Sequence, residues 1–134
     1  MPSRDLHSSA TPLVAYNITS LSGGAATSDG NIIDTFGYEG CEFVPVAGTI
    51  TTGGITPFLF AGAASDLSDG ATVSATDLLG SFANFGDAAD NTAQHVGYTG
   101  AKRYARLSYT RGASCNGTFG AVCILGHKRH GPTS

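Results

Sequence analysis

Tryptophan is absent from this 134-residue chain, methionine occurs once, and charged residues make up only 13%. Without an indole face there is little for a sugar ring to stack on, which weighs against a lectin-like function. Sparse charge leaves little surface repulsion to keep a free monomer soluble, so the composition favours a protein that sits within an assembly. No stretch approaches the roughly eighteen apolar residues of a membrane span, and the opening MPSRDLHSSATP lacks the apolar centre of a signal segment. The sequence therefore predicts no membrane partner and no export by the usual route. Long side chains that build lengthy helices are few, whereas glycine reaches 19 residues and Thr, Ser and Ala abound, a balance that favours short strands and tight turns.

The cysteines Cys41, Cys115 and Cys123 are odd in number, widely spaced and form no CxxC pair. That pattern argues against a disulfide framework and a zinc site; the thiols are expected to be reduced, with Cys123 a small core residue. Asn17-Ile18-Thr19 and Asn116-Gly117-Thr118 match the glycosylation acceptor pattern, but without a secretory signal they are read as chance.

Acidic and basic residues are segregated. All ten Asp and Glu lie at or before Asp90, while six of the seven Lys and Arg, namely Lys102, Arg103, Arg106, Arg111, Lys128 and Arg129, follow Gly100. A division of this kind predicts self-association or docking on a larger charged surface, or mutual neutralisation within one fold.

Short apolar or alternating segments bounded by Gly, Asp, Asn and Ser recur between Leu13 and Leu125, the spacing of an all-β sandwich. Predicted strands are 13–21, 32–36 after the turn signal Ser28-Asp29-Gly30-Asn31, and 41–46. A hairpin is expected in which 49–51 and 55–60 flank Thr52-Gly53-Gly54, with Pro57 placing the second strand at an edge or bulge. Residues 61–92 read as an irregular acidic excursion, turning at 65–70, with a strand or single helical turn over 75–83. From 102 to 110, Ala105, Leu107 and Tyr109 alternate with Tyr104, Arg106 and Ser108, giving one apolar face. Residues 118–125 are apolar on both faces, which predicts a central strand covered by a second sheet and an unfolded domain when Ile124 is replaced by Asp. The implied organisation is an N-terminal arm over 1–12, a sandwich over 13–126 and a basic C-terminal arm over 127–134.

No catalytic constellation emerges, and the chain is read as non-enzymatic. The nearest approach to a nucleophile elbow, Gly112-Ala113-Ser114-Cys115-Asn116, ends in Asn. Asp66, Asp69, Asp77, Asp87 and Asp90 fall in turn contexts where Asp bends the chain through its own side chain, and 66–70 fails the calcium-loop pattern. His127 and His130 have a spacing that can seat a metal on a helix, but Gly126, Gly131 and Pro132 oppose a helix there, and Lys128 and Arg129 repel a cation. No metal or cofactor is expected. The tail over 127–130 reads as a docking element for carboxylates or phosphate, or as a solvated terminus; with two fixed charges and no basic helix it gives little support to direct nucleic-acid binding.

The run Val96-Gly-Tyr98-Thr-Gly100-Ala-Lys102-Arg103-Tyr104-Ala-Arg106-Leu107, followed by Gly117-Thr-Phe-Gly-Ala-Val-Cys-Ile-Leu125, and the earlier Asn31-Ile-Ile-Asp34-Thr35, resemble small jelly-roll capsid cement (decoration) proteins of tailed bacteriophages. The resemblance implies a jelly-roll-like antiparallel β-sandwich with extended N- and C-terminal arms, bound to the outside of the major capsid protein lattice as a homo-dimer or homo-trimer. On that reading Leu6, Pro12 and Leu13 pack against the partner, while Arg106, Arg111, His127, Lys128, Arg129 and His130 meet acidic capsid or sister-subunit surface. The alternatives are a glycan-binding or host-attachment sandwich of the virion, and a neck or tail-completion protein.

Overall fold

The structure, a computed structural model, describes residues 10–21, 26–52, 54–86, 91–112 and 115–128, with only the backbone described at 21, 26, 51, 52, 127 and 128. Ten strands follow one another: β1 (Ala10–Leu21), β2 (Ala26–Asp34), β3 (Tyr38–Thr52), β4 (Ile55–Gly62), β5 (Ala71–Thr72), β6 (Leu78–Leu79), β7 (Thr92–Ala93), β8 (Val96–Tyr98), β9 (Tyr104–Arg111) and β10 (Asn116–Lys128). The larger sheet runs β1-β10-β3-β8-β6 with β7 also on β3, and the smaller runs β2-β9-β4-β5. All pairings are antiparallel. Sequence neighbours β1 and β2, β3 and β4, and β9 and β10 lie in opposite sheets, so the chain crosses repeatedly between layers. The all-β sandwich is thus the observed fold, and its strand order is that of a jelly roll.

The core forms where the inward faces meet. Phe43, Ala47, Ile50, Phe119, Ala121, Cys123 and Leu125 of the larger sheet face Ile33, Ile55, Leu59, Ala105, Leu107 and Tyr109 of the smaller, all buried. The alternation expected in β9 puts Ala105, Leu107 and Tyr109 inside. At one end Tyr16, Tyr109 and Phe119 meet edge to face, with centroids 5.1 Å apart for Tyr16–Tyr109 and Tyr109–Phe119 and 5.5 Å for Tyr16–Phe119. Such pairs add about 0.5–1.5 kcal/mol each beyond their area burial.

Several local expectations are corrected. Residues 52–54 do not close a hairpin: β3 belongs to the larger sheet and β4 to the smaller, and β4 pairs along its whole length with β9. Between β3 and β4 the chain passes from one layer to the other rather than back along one. Segments 41–46 and 49–51 belong to a single 15-residue strand. The turn signal at 28–31 lies inside β2, where the register with β9 slips between Asp29 and Ile32. Its polar residues are used in two ways: Ser108 Oγ donates to Asp29 Oδ1 at 2.9 Å within the smaller sheet, and Asn31 Nδ2 donates across to the Val14 carbonyl of the larger sheet at 3.0 Å. Gly30 is required there, because a Cβ would lie 2.3 Å from the Ala15 carbonyl oxygen and 2.5 Å from that of Leu107. Phe36, expected to close a strand, sits beyond β2 in a turn and is exposed.

The 75–83 segment is a short 3-10 turn over Ala75–Asp77 leading into β6. In the loop before β5, Asp69 accepts hydrogen bonds from the amides of Ala63 and Ala64, and Asp66 from that of Ser68. These backbone bonds hold both carboxyls below the ordinary aspartate range. The two acids shape the loop through their own side chains.

Candidate interaction face

The outward face of the larger sheet is apolar and open. In β10, Phe119, Ala121, Cys123 and Leu125 point into the core, which leaves Thr118, Gly120, Val122 and Ile124 on the other side of the strand. The second sheet covers only one face. Val122 is therefore 36% exposed and Ile124 half-buried, where the sequence predicted burial on both sides.

The register fixes the neighbours of these residues. Val122 lies between Val14 and Val44, Gly120 pairs with Val46, and Ile124 lies between Pro12 and Glu42. Ile18 lies over Gly120, because β1 slips register twice between Val14 and Thr19 and so brings Ile18 outward. The exposed side chains are Val14 at 54%, Ile18 at 82% and Val46 at 41%. Between them is a shallow depression of about 290 Å³, lined by Val14, Tyr16, Ile18, Val46, Thr118 and Val122 among others and by no charged side chain. Glu42, with His95 Nδ1 2.7 Å from its Oε2, marks the charged rim. A contiguous apolar patch with a polar border is the surface pattern of a docking site.

The free edges nearby are unsuited to strand addition. β1 carries Pro12, which has no amide hydrogen, and its two register slips; β2 carries its own slip. Such features blunt an edge against pairing with another chain, which leaves the face as the candidate docking surface.

The basic residues named from sequence occupy other places. Arg106 lies on β9 of the smaller sheet, with Nη2 3.6 Å from Asp29 Oδ2 and its guanidinium 5.0 Å from the Phe60 ring centroid. Its side chain is largely buried, and its Nε has no hydrogen-bond partner among the described residues. Arg111, half-buried, ends the same strand. Arg103 forms a two-pronged pair with Asp34, both contacts at 2.8 Å, and lies over the rings of Phe36 and Tyr104. That pairing holds the Asp34 carboxyl below its ordinary range.

Pro12 and Leu13 lie on β1 near the end of the larger sheet where Lys128 pairs with Tyr38. Pro12 faces outward, whereas Leu13 points inward opposite Cys123 and remains partly exposed at the sandwich end. The predicted partner set is thereby split between two sheets rather than gathered on one surface. His127 and Lys128 continue β10, so the strand runs past the expected boundary at 126. Leu6, Arg129 and His130 lie outside the described residues.

A second concavity of about 470 Å³ lies at the end of the sandwich between residues 35–39 and 100–103, with Phe36, Tyr38, Glu39, Lys102 and Arg103 in its wall. Among the described residues no cluster of His, Cys, Asp and Glu is arranged to hold a metal ion, and no helix is long and apolar enough to cross a membrane.

No family model and no curated protein matches this chain. A solved structure, the crystal structure of PirA, superposes with a TM-score of 0.41 at 10% identity over 88% of this chain and 93% of that one, a likeness too slight to carry an argument.

Proposed function

We propose that this protein is a non-enzymatic virion structural protein, a capsid cement or decoration protein of a tailed bacteriophage, that docks through the outer face of its larger sheet on the major capsid protein lattice. The observation that supports this reading most is the uncharged apolar strip of Val14, Ile18, Val46 and Val122. An apolar face borne by a rigid sheet needs no ordering when it binds, so little conformational entropy is lost. Repetition of the lattice multiplies modest single contacts into firm attachment. Since Arg103 and Arg106 are engaged within the chain, apolar packing supplies the affinity, and the basic end at 127–130 contributes registration.

The test is co-sedimentation with capsid shells that lack the protein. Wild-type protein is expected to bind at a copy number matching the lattice and to raise the temperature of shell disruption, and Ile18→Asp and Val122→Asp to remain folded but not bind. Failure of the wild type to bind at low salt would overturn the proposal, and a copy number matching a single vertex would point to a neck or tail-completion protein. The glycan-binding alternative draws on the exposed Phe36 ring beside the polar wall of the end concavity; a glycan array that is positive for wild type and negative for Phe36→Ala would favour it.

A further inference from the structure

Two of the three cysteines, 82 positions apart in sequence, meet side by side in the fold: Cys41 Sγ lies 3.5 Å from Cys123 Sγ. The register explains the meeting. Cys41 of β3 is opposite Leu125 and Cys123 of β10 is opposite Phe43, so the two thiols are diagonal neighbours on the inward face of adjacent central strands. Both are free thiols.

Their surroundings differ. Cys123 is wholly buried, and the hydrogen bond to Cys41 together with burial pushes its thiol up, so it is a poor first nucleophile. Cys41 is half-buried, with the acids Glu39 and Glu42 beside it in β3. A small oxidant can therefore reach Cys41 before the wholly buried Cys123, and the two acids favour a neutral one. Cys115, in the crossing from β9 to β10, is fully buried.

We infer that Cys41 and Cys123 form an oxidisable pair, in which a small neutral organic disulfide converts the two thiols into a cross-strand bridge between β3 and β10. In the first step the Cys41 thiol gives its proton to solvent, and its sulfur attacks one sulfur of the organic disulfide, breaking that bond and releasing one thiolate. In the second, Cys123 Sγ attacks Cys41 Sγ, breaking the mixed disulfide; the second thiolate leaves and takes up the Cys123 proton. The cysteines lose two electrons and two protons in all, and the organic disulfide is reduced to two thiols. Bridging requires the sulfurs to close from 3.5 Å to bonding distance, and because the two residues are diagonal neighbours the hydrogen-bonded strands must draw together locally as the bond forms. The bridge would brace the strands that carry the apolar docking face, but its formation does not depend on what that face binds.

The experiment incubates native wild-type protein with the oxidised form of 2-mercaptoethanol, blocks residual thiols under denaturing conditions, and maps the peptides by mass spectrometry. A peptide pair joined through Cys41 and Cys123 is expected, short by two hydrogens, with Cys115 recovered as a blocked thiol. Cys123→Ser is expected to stop at the mixed disulfide on Cys41, and Cys115→Ser to bridge as the wild type does. The bridged protein is expected to unfold roughly 5–15 °C higher than the reduced form, since the link closes a long loop of the unfolded chain. Recovery of both thiols unreacted, a mixed disulfide that persists on wild-type Cys41, or a bridge that includes Cys115 would each overturn the inference. Those results come from the wild-type map and stand even if a serine variant fails to fold. An oxidised protein melting no higher than the reduced one would overturn the bracing role.

Discussion

Ile18 lies directly over Gly120, so closely that a Cβ at position 120 would come within 2.7 Å of Ile18 Cγ1 and 3.2 Å of Ile18 Cα. Gly120 does not have a positive φ, so its glycine answers a need for space rather than for an unusual backbone. Gly120→Ala is expected to displace Ile18 and lower stability by about 1 kcal/mol, the gain in strand propensity only partly offsetting the overlap. Ile18→Ala in the same background should recover part of the loss. Denaturant midpoints of the four variants in a double-mutant cycle measure the coupling, and strictly additive effects would show that the two residues do not contend for one space.

Gly30 is held by harder neighbours. The atoms that a Cβ would strike belong to the backbones of β1 and β9, in opposite sheets, and neither can rotate away. Gly30→Ala is therefore expected to pry the sandwich seam apart and cost on the order of 3 kcal/mol or more. The expected readout is loss of near-ultraviolet dichroism and a lower unfolding temperature. An alanine variant as stable as the wild type would mean that β1 does not approach β2 as described.

The two faces of β10 predict opposite outcomes for one kind of substitution. Leu125 is 2% exposed in the core, and Leu125→Asp is expected to abolish folding, since an unpaired buried carboxylate costs several kcal/mol in addition to the packing lost. Ile124, its neighbour, lies on the outer face between Pro12 and Glu42. Ile124→Asp is expected to leave a native-like circular dichroism spectrum, with about 1–2 kcal/mol lost to reduced apolar contact and repulsion from Glu42. Unfolding of both variants would restore the sequence-based expectation that both faces of this strand are covered.

That reversal shows where the sequence was informative. The period of two in Tyr104–Arg111 identified the inward residues of β9, because alternation carries facing directly. The run 118–125 does not alternate, and an apolar outer residue looks the same in sequence whether a second sheet or a partner covers it. In a sandwich of two layers each sheet has one outer face, so Val122 and Ile124 are legible as surface only once the layer count is known. The missed apolar face left its signal in Val14, Ile18 and Val46, but these fall in line with Val122 only through the register of β1 and β3 on β10. The false hairpin at 52–54 has a related cause: glycine marks a reversal of direction but does not say whether the next strand stays in the same sheet. Cys41 and Cys123, read as unrelated because of their spacing, meet for the same reason, since antiparallel pairing of distant strands is invisible to local pattern.

Tyr16 gives the structure a signature in alkaline solution. Its hydroxyl donates to Tyr109 Oη at 3.2 Å across the two sheets, and burial together with that neighbour raises its pKa from 10.0 to about 12. The folded chain therefore keeps a proton that the unfolded chain gives up between those values. Stability from this group is complete below pH 10 and declines as pH rises from 10 towards 12. The loss is on the order of 1–2 kcal/mol after discounting for the partial exposure of the ring. Tyr16→Phe removes both the hydroxyl contact and the titration, so the variant should be less stable than wild type at neutral pH by about 1 kcal/mol. The two stability curves should converge as the solution becomes alkaline. Urea unfolding of both proteins across that range decides the matter: parallel curves would mean that Tyr16 titrates alike in the folded and unfolded chains, and that its contact with Tyr109 does not govern its proton.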